Sequence, residues 1–283
     1  MSTATQPLPS LTSTSTATLL PPTATPTPVP LAAIVNGEAI PLSEYLAELA
    51  RYQSALNNDL ATSVPGTNLA TQDKQRVMDD LIDQTLLAQG AAQEGYKMDE
   101  AAVQTRLENL TTQVGGAQAL STWESAQGFT DDSFRQALQQ AMAAAWMRDQ
   151  IVSSVPEFVE QVHARQILLY NESDANQVLS RIEAGTKFAT LAEYYNPVTG
   201  GDLGWFPKGY LTEPELEQAA FSLQPGEHSA VIHTRLGYHI LEVTERDTHH
   251  PLDPDARLAL QTQSLKQWLA KRRSQSDIKI IAQ

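Results

Sequence analysis

Two strand-like runs separated by a glycine-rich turn constrain this chain more than any other feature. The first run is Val162-His163-Ala164-Arg165-Gln166-Ile167-Leu168-Leu169, and the last is Leu236-Gly237-Tyr238-His239-Ile240-Leu241-Glu242-Val243. Between them stand Gly200-Gly201-Asp202-Leu203-Gly204-Trp205-Phe206 and the turn Gln224-Pro225-Gly226-Glu227. Asp174 is expected to cap a helix through Ala184, with Val178, Leu179 and Ile182 inward and Gly185 as its stop. Phe188 to Tyr195 and Pro214 to Phe221 read as short helices, and Val231-Ile232 and His239 to Thr244 as strands. A few antiparallel strands with helices on their faces make an α+β sandwich. The glycine-rich turn is not a phosphate loop, because it lacks the Lys-Ser/Thr pair and the following helix.

The chain ahead of this stretch reads as helical. Pro, Thr and Ser supply 20 of the first 30 residues, too polar to offset the entropy of ordering, so residues 1–32 are expected to be a tether. Met1 to Ser10 has neither a basic start nor an apolar core, so no signal peptide is read there. Ile34-Val35-Asn36-Gly37-Glu38-Ala39-Ile40 is a hairpin signal, since Asn-Gly accepts the positive φ angles of a type I′ turn. Ser43 then reads as an N-cap ahead of Leu42, Leu46, Leu49, Tyr52 and Leu56 at helical spacing. Ala61 to Ala70 reads as a loop, and Thr71 opens a helix buried through Val77, Met78, Leu81, Ile82 and Leu86 and stopped by Gly95. Asp99 caps a third helix, and Thr130 caps a last one with Phe129 and Phe134 as a hydrophobic staple. Phe134, Leu138, Met142 and Trp146 share one face of that helix, which reads as core, or else as a groove for apolar segments. Beyond Thr248 a linker with Pro251 and Pro254 leads to a helix from Asp255 to Arg273. Lys271-Arg272-Arg273 and Asp79-Asp80-Asp83 both read as solvated faces.

Composition removes several function classes. The net charge of −14 argues against nucleic-acid binding, which requires a basic face. The absence of cysteine excludes thiol catalysis, disulfides and thiolate metal sites. The six histidines are scattered, so neither a metal nor another cofactor is expected. No run reaches the roughly 18 apolar residues of a membrane span.

The ordered motifs from Val162 to Val243 resemble the parvulin family of peptidyl-prolyl cis–trans isomerases. The Val-Asn-Gly-Glu opening and the helix after it resemble the N-terminal domain of SurA- and PrsA-like chaperones. These resemblances imply a helical chaperone-like domain over 33–158, a parvulin-like domain over 159–247, and a 248–283 segment whose helix folds back on the first domain. Ile278-Lys279-Ile280 would then add a strand to the hairpin. The parvulin resemblance assigns the proline seat to Leu203, Phe206, Leu211 and Leu216, with one extra residue at or near Thr212. It assigns the polar network to His239 and Thr234, and puts Gln166 where the family has a second histidine. His163 cannot take that role, because it lies three positions away and points to the other face of the strand. The family's loop with Asp or Cys, ahead of the glycine-rich turn, is shortened here to Asn196-Pro197-Val198-Thr199.

Prolyl isomerisation crosses a barrier of about 18–20 kcal/mol set by amide resonance. A catalyst needs an apolar seat and polar groups that favour the twisted amide. No proton need move, and Gln166 can both donate and accept. Loss of the Asp/Cys group is expected to slow catalysis by roughly ten- to a thousand-fold, about 1.4–4 kcal/mol. The resemblance therefore implies an extracytoplasmic foldase acting on extended or unfolded polypeptide with X–Pro bonds. The alternative is a holdase chaperone that binds extended chains without isomerising them.

Overall fold

The computed structural model describes residues 29–59 and 71–282. The Thr/Pro-rich segment up to residue 28 and the expected loop over residues 61–70 lie outside them. The chain begins with strands β1 (Leu31–Val35) and β2 (Glu38–Pro41), joined at Asn36-Gly37 with φ of 54° and 87°, as the Asn-Gly turn requires. Helix α1 (Leu42–Asp59) leaves β2 directly, and the Leu42 amide donates to the Pro30 carbonyl. Ser43 therefore lies inside the first turn and is not the cap.

Helices α2 (Thr71–Gln93), α3 (Glu100–Gln113), α4 (Ala117–Ala126) and α5 (Asp131–Ser153) follow. Gly95 ends α2 at φ 88°, with its amide and that of Tyr96 closing onto Ala92 and Ala91 in a Schellman turn. Asp99 caps α3, and Thr130 and Ser133 form a reciprocal capping box on α5. The staple rings Phe129 and Phe134 meet edge to face at 5.6 Å. The fully buried stripe of α5 is Ala143, Ala144, Met147 and Ile151, while Phe134, Leu138, Met142 and Trp146 are half-buried. The face turned inward is the one with small residues, because α2 and a C-terminal helix press against it.

Strand β3 (Phe158–Leu169) then opens an α+β unit with α6 (Glu172–Glu183), α7 (Phe188–Tyr195), β4 (Asp202–Pro207), α8 (Pro214–Ser222), β5 (Ile232–Thr234) and β6 (Gly237–Pro251). The four strands form an antiparallel sheet in the order β4-β3-β6-β5. Asn171, not Asp174, caps α6: its side chain accepts from the Asp174 amide. Ile167, Leu169 and Ile240 bury one sheet face under Val178, Phe188 and Leu191 of α6 and α7. Val162, Ala164, Leu241 and Val243 bury the other under Leu216 and Ala220 of α8.

Of the residues after Thr248, expected as a linker, His249 to Pro251 are strand, and Leu252 and Asp253 alone connect to the next helix. β6 stays paired with β3 to its end, with Phe158 opposite Pro251. Gln161, buried in β3, donates to the carbonyls of His250 and Pro251, which holds the ladder together where its register shifts. Helix α9 (Pro254–Ser274), capped by Asp253, packs on α2 and α5 through Leu265, Trp268 and Leu269. Strand β7 (Ile278–Ile280) pairs with β1 to complete a three-stranded sheet. The return of the C-terminal segment to the first helices thus matches the expectation.

Two polar stretches read as solvated are in fact joined. Arg273 of α9 donates to the carboxylates of Asp79 at 2.9 Å and Asp83 at 2.6 Å, and to the Asp79 carbonyl at 2.8 Å. Charge-assisted bonds of this kind are the stronger ones. Next to them Gly90 of α2 makes room for Trp268, since a Cβ there would lie 2.7 Å from the indole ring. Arg273→Gln should destabilise the chain by about 1–2 kcal/mol, the range for hydrogen bonds to charged groups discounted for the partly exposed Asp79. Denaturant unfolding checks this through a lower midpoint at an unchanged m-value. An unchanged midpoint would remove Arg273 as the fastener of α9.

Candidate active site

Antiparallel pairing places Gln166 opposite Leu241 and Leu168 opposite His239, so Gln166 and His239 are diagonal neighbours on one sheet face. His239 is 1% exposed. Its Nδ1 lies 2.9 Å from Gln166 Oε1, and its Nε2 lies 2.9 Å from Thr234 Oγ1. The amide of Leu236 donates to the same Thr234 oxygen at 3.1 Å. With the ring neutral, one arrangement of protons satisfies all three contacts. Gln166 Oε1 can only accept, so His239 Nδ1 carries the proton. Nε2 is then the acceptor, and the Thr234 hydroxyl donates to it while accepting from Leu236. Burial pulls the His239 imidazole below the usual histidine range, and the Glu213 carboxylate offsets that by less. The imidazole is therefore neutral at pH 7, and its ring is fixed at both ends.

Leu203, Phe206, Leu211 and Leu216 belong to one apolar cluster on the same face. Phe206 is 0% and Leu216 6% exposed, so these two are core residues of the cluster, while Leu203 and Leu211 at its edge are partly exposed. Phe206 is held by an edge-on contact with Phe221, ring centres 6.1 Å apart. Leu211 is set by a backbone device that sequence reasoning missed. The Glu217 carboxylate accepts the amides of Gly209, Tyr210 and Leu211 at 2.8, 3.0 and 3.2 Å, folding the loop ahead of α8 around one oxygen. No sequence motif announces this use of an α8 glutamate.

The glycine-rich turn bears directly on Gln166. The Gln166 amide donates to the Gly201 carbonyl at 2.8 Å, Gly201 has φ 73°, and a Cβ on it would lie 2.0 Å from the Gln166 carbonyl oxygen. Only glycine allows this approach. The shortened connection ahead of it is a tight turn: the Asn196 side chain bonds the hydroxyl and amide of Thr199, and its carbonyl takes the Gly200 amide. His163 is on the opposite face, against Thr244, Asp202 and Trp205, and takes no part in the network.

A buried imidazole hydrogen-bonded to an amide and a hydroxyl thus stands on the same sheet face as an apolar cluster. The PPIC-type PPIASE domain matches residues 151–245, and the SurA-like N-terminal domain matches residues 18–148. The foldase protein PrsA of Caldanaerobacter subterraneus subsp. tengcongensis is 30% identical over 245 residues, 79% of this chain and 76% of that protein. PrsA of a Geobacillus strain is 27% identical over 190 residues, 63% of this chain and 66% of that protein. The crystal structure of Bacillus cereus PrsA aligns with a TM-score of 0.48 at 18% identity, covering 86% of this chain and 89% of that one. This chain belongs to the PrsA foldase family.

The lowered histidine gives a pH prediction with a definite sign. A group whose folded pKa lies below its unfolded value adds stability above the unfolded pKa, and that stability is lost as pH falls toward the folded value. For His239 the loss begins near the ordinary histidine pKa of about 6.5. Melting curves between pH 8 and 5 should show a downward trend below about 6.5 that is weaker in His239→Gln. Identical trends in the two proteins would contradict a buried neutral imidazole. Gly201→Ala should cost at least about 1–3 kcal/mol of stability, from an unfavourable φ and a backbone collision; a midpoint within error of the parent would contradict the packing against Gln166.

Proposed function

We propose that this protein is a foldase whose parvulin-like unit isomerises X–Pro bonds in extended or unfolded polypeptide. The observation that carries this is the fixed Thr234–His239–Gln166 chain on the same sheet face as the apolar cluster of Leu203, Phe206, Leu211 and Leu216, which would seat the proline ring. A proline ring seated on the leucines leaves its imide bond at the polar side of the cluster. Gln166 uses its oxygen on His239, and among the described residues its amide nitrogen has no partner, so its N–H groups are free to donate to the bound peptide. Such donors lower the barrier only where they bond the twisted amide better than the planar one. Because the network carries no charge, rate should stay flat through neutral pH and past the ordinary histidine pKa of about 6.5, and fall only at the lower pH where the buried His239 protonates. Membership of the PrsA family and the SurA-like match support polypeptide as the client. Residues 1–32 read as a tether, which supports work outside the cytoplasm at a membrane or wall.

The tight turn at Asn196–Thr199, without an acid, favours a second reading: a holdase that binds without isomerising. Both readings meet one test. A prolyl peptide assay should give a rate above background that falls about ten-fold or more in Leu216→Ala and in His239→Ala, the scale for removing one transition-state contact. No rate above background, together with suppressed aggregation of an unfolded client, would replace the foldase with the holdase.

A further inference from the structure

The mechanism above leaves two buried carboxylates unused, Glu124 in α4 and Glu213, and Glu213 adjoins the site. Glu213 is 7% exposed and precedes Pro214, at the point where the Leu211 loop enters α8. Its side chain caps nothing in that helix; its carboxylate instead accepts the Arg235 Nε at 2.8 Å. Arg235 is 75% exposed and stands between Thr234, which bonds His239, and Leu236, whose amide bonds Thr234. The pair therefore ties the wall that carries Leu211 and Leu216 to the turn that orders the imidazole. Burying a carboxylate is costly unless it is partnered, so a position this covered is held by its partner and its task. It also lies close enough to His239 for its charge to be felt at the ring.

We propose that Glu213 is a positioning residue of the isomerase site: through Arg235 it fastens the Thr234 turn to the leucine wall, and it supplies beside His239 the fixed negative charge that the Asn196–Thr199 turn lacks. This rests on the isomerase reading and deepens it. Arg235 keeps the remaining edge of its guanidinium outward, since Glu213 is its one hydrogen-bond partner among the described residues.

The test compares Glu213→Gln, Arg235→Gln and the double variant in the full chain. Arg235→Gln changes an exposed side chain, so it reports even where the buried change impairs folding. Each single change should lower kcat/KM about ten-fold, the scale of a lost hydrogen bond to a charged group, and the double should lose little more than either. A pure packing role would leave the ionisation of His239 alone. Here NMR titration of the His239 ring should show its pKa lower in Glu213→Gln and higher in Arg235→Gln than in the parent. Unchanged kcat/KM in both singles, or an unmoved His239 titration, overturns the proposal. If the parent itself shows no isomerisation, the isomerase reading fails, and the titration still decides whether Glu213 acts on His239.

Discussion

The β3–β6 ladder is the constraint on which the rest of the structure depends. It runs from Leu169 opposite Tyr238 at one end to Phe158 opposite Pro251 at the other. The first end brings Gln166 and His239 within 2.9 Å of one another. The other end delivers the chain from α5 into the α+β unit and returns it to α9. A single ribbon thus builds the site and hands the chain back to the helices it left. Its irregularities fall between Val159 and Gln161 and between His163 and Ala164, away from the network. Gln161 repairs the first with two side-chain bonds, and Thr244 bonds His163 at the second.

The Thr234–His239–Gln166 network holds its geometry without a charged member. A second histidine in place of Gln166 would bring another titrating group, whereas an amide has one protonation state across the whole neutral range. His239 is kept neutral by burial, and each of its nitrogens has a partner of the matching sense. What the glycine-rich turn provides is closeness, since Gly201 lies against the Gln166 backbone and fixes where that side chain starts. Glu217 provides the same service for Leu211 from the other wall. Rigid placement of few groups suits a reaction in which no bond is made or broken.

Much of this was legible in the residues, and what was not shares a physical cause. The hairpin at Asn36-Gly37, the caps Asp99 and Thr130, and the stop at Gly95 follow local rules, so the chain announces them. The pairing of His239 with Gln166 and Thr234 was legible because ordered motifs carry it. The partners of charged residues were not. Arg273 looked like a dipole-complementing helix end, and Asp79 and Asp83 like a wet face, because nothing local says that helices 190 residues apart will touch. No sequence motif marks Glu213 or Glu217, yet one is buried against Arg235 and the other accepts three backbone amides. The residues after Thr248 looked like a linker because Pro251 and Pro254 suggest one; His249 to Pro251 are strand because β3 continues opposite them to Phe158.

Whether a proline ring seats on the leucine cluster decides the account. Binding of a short prolyl peptide, followed residue by residue in the labelled full chain by NMR, measures it most directly. The account predicts the largest shifts at Leu203, Leu211, Leu216 and the His239 ring, with exchange between cis and trans peptide signals sped up by the same protein. Shifts confined to the α1–α5 region, with the cluster silent, would contradict it.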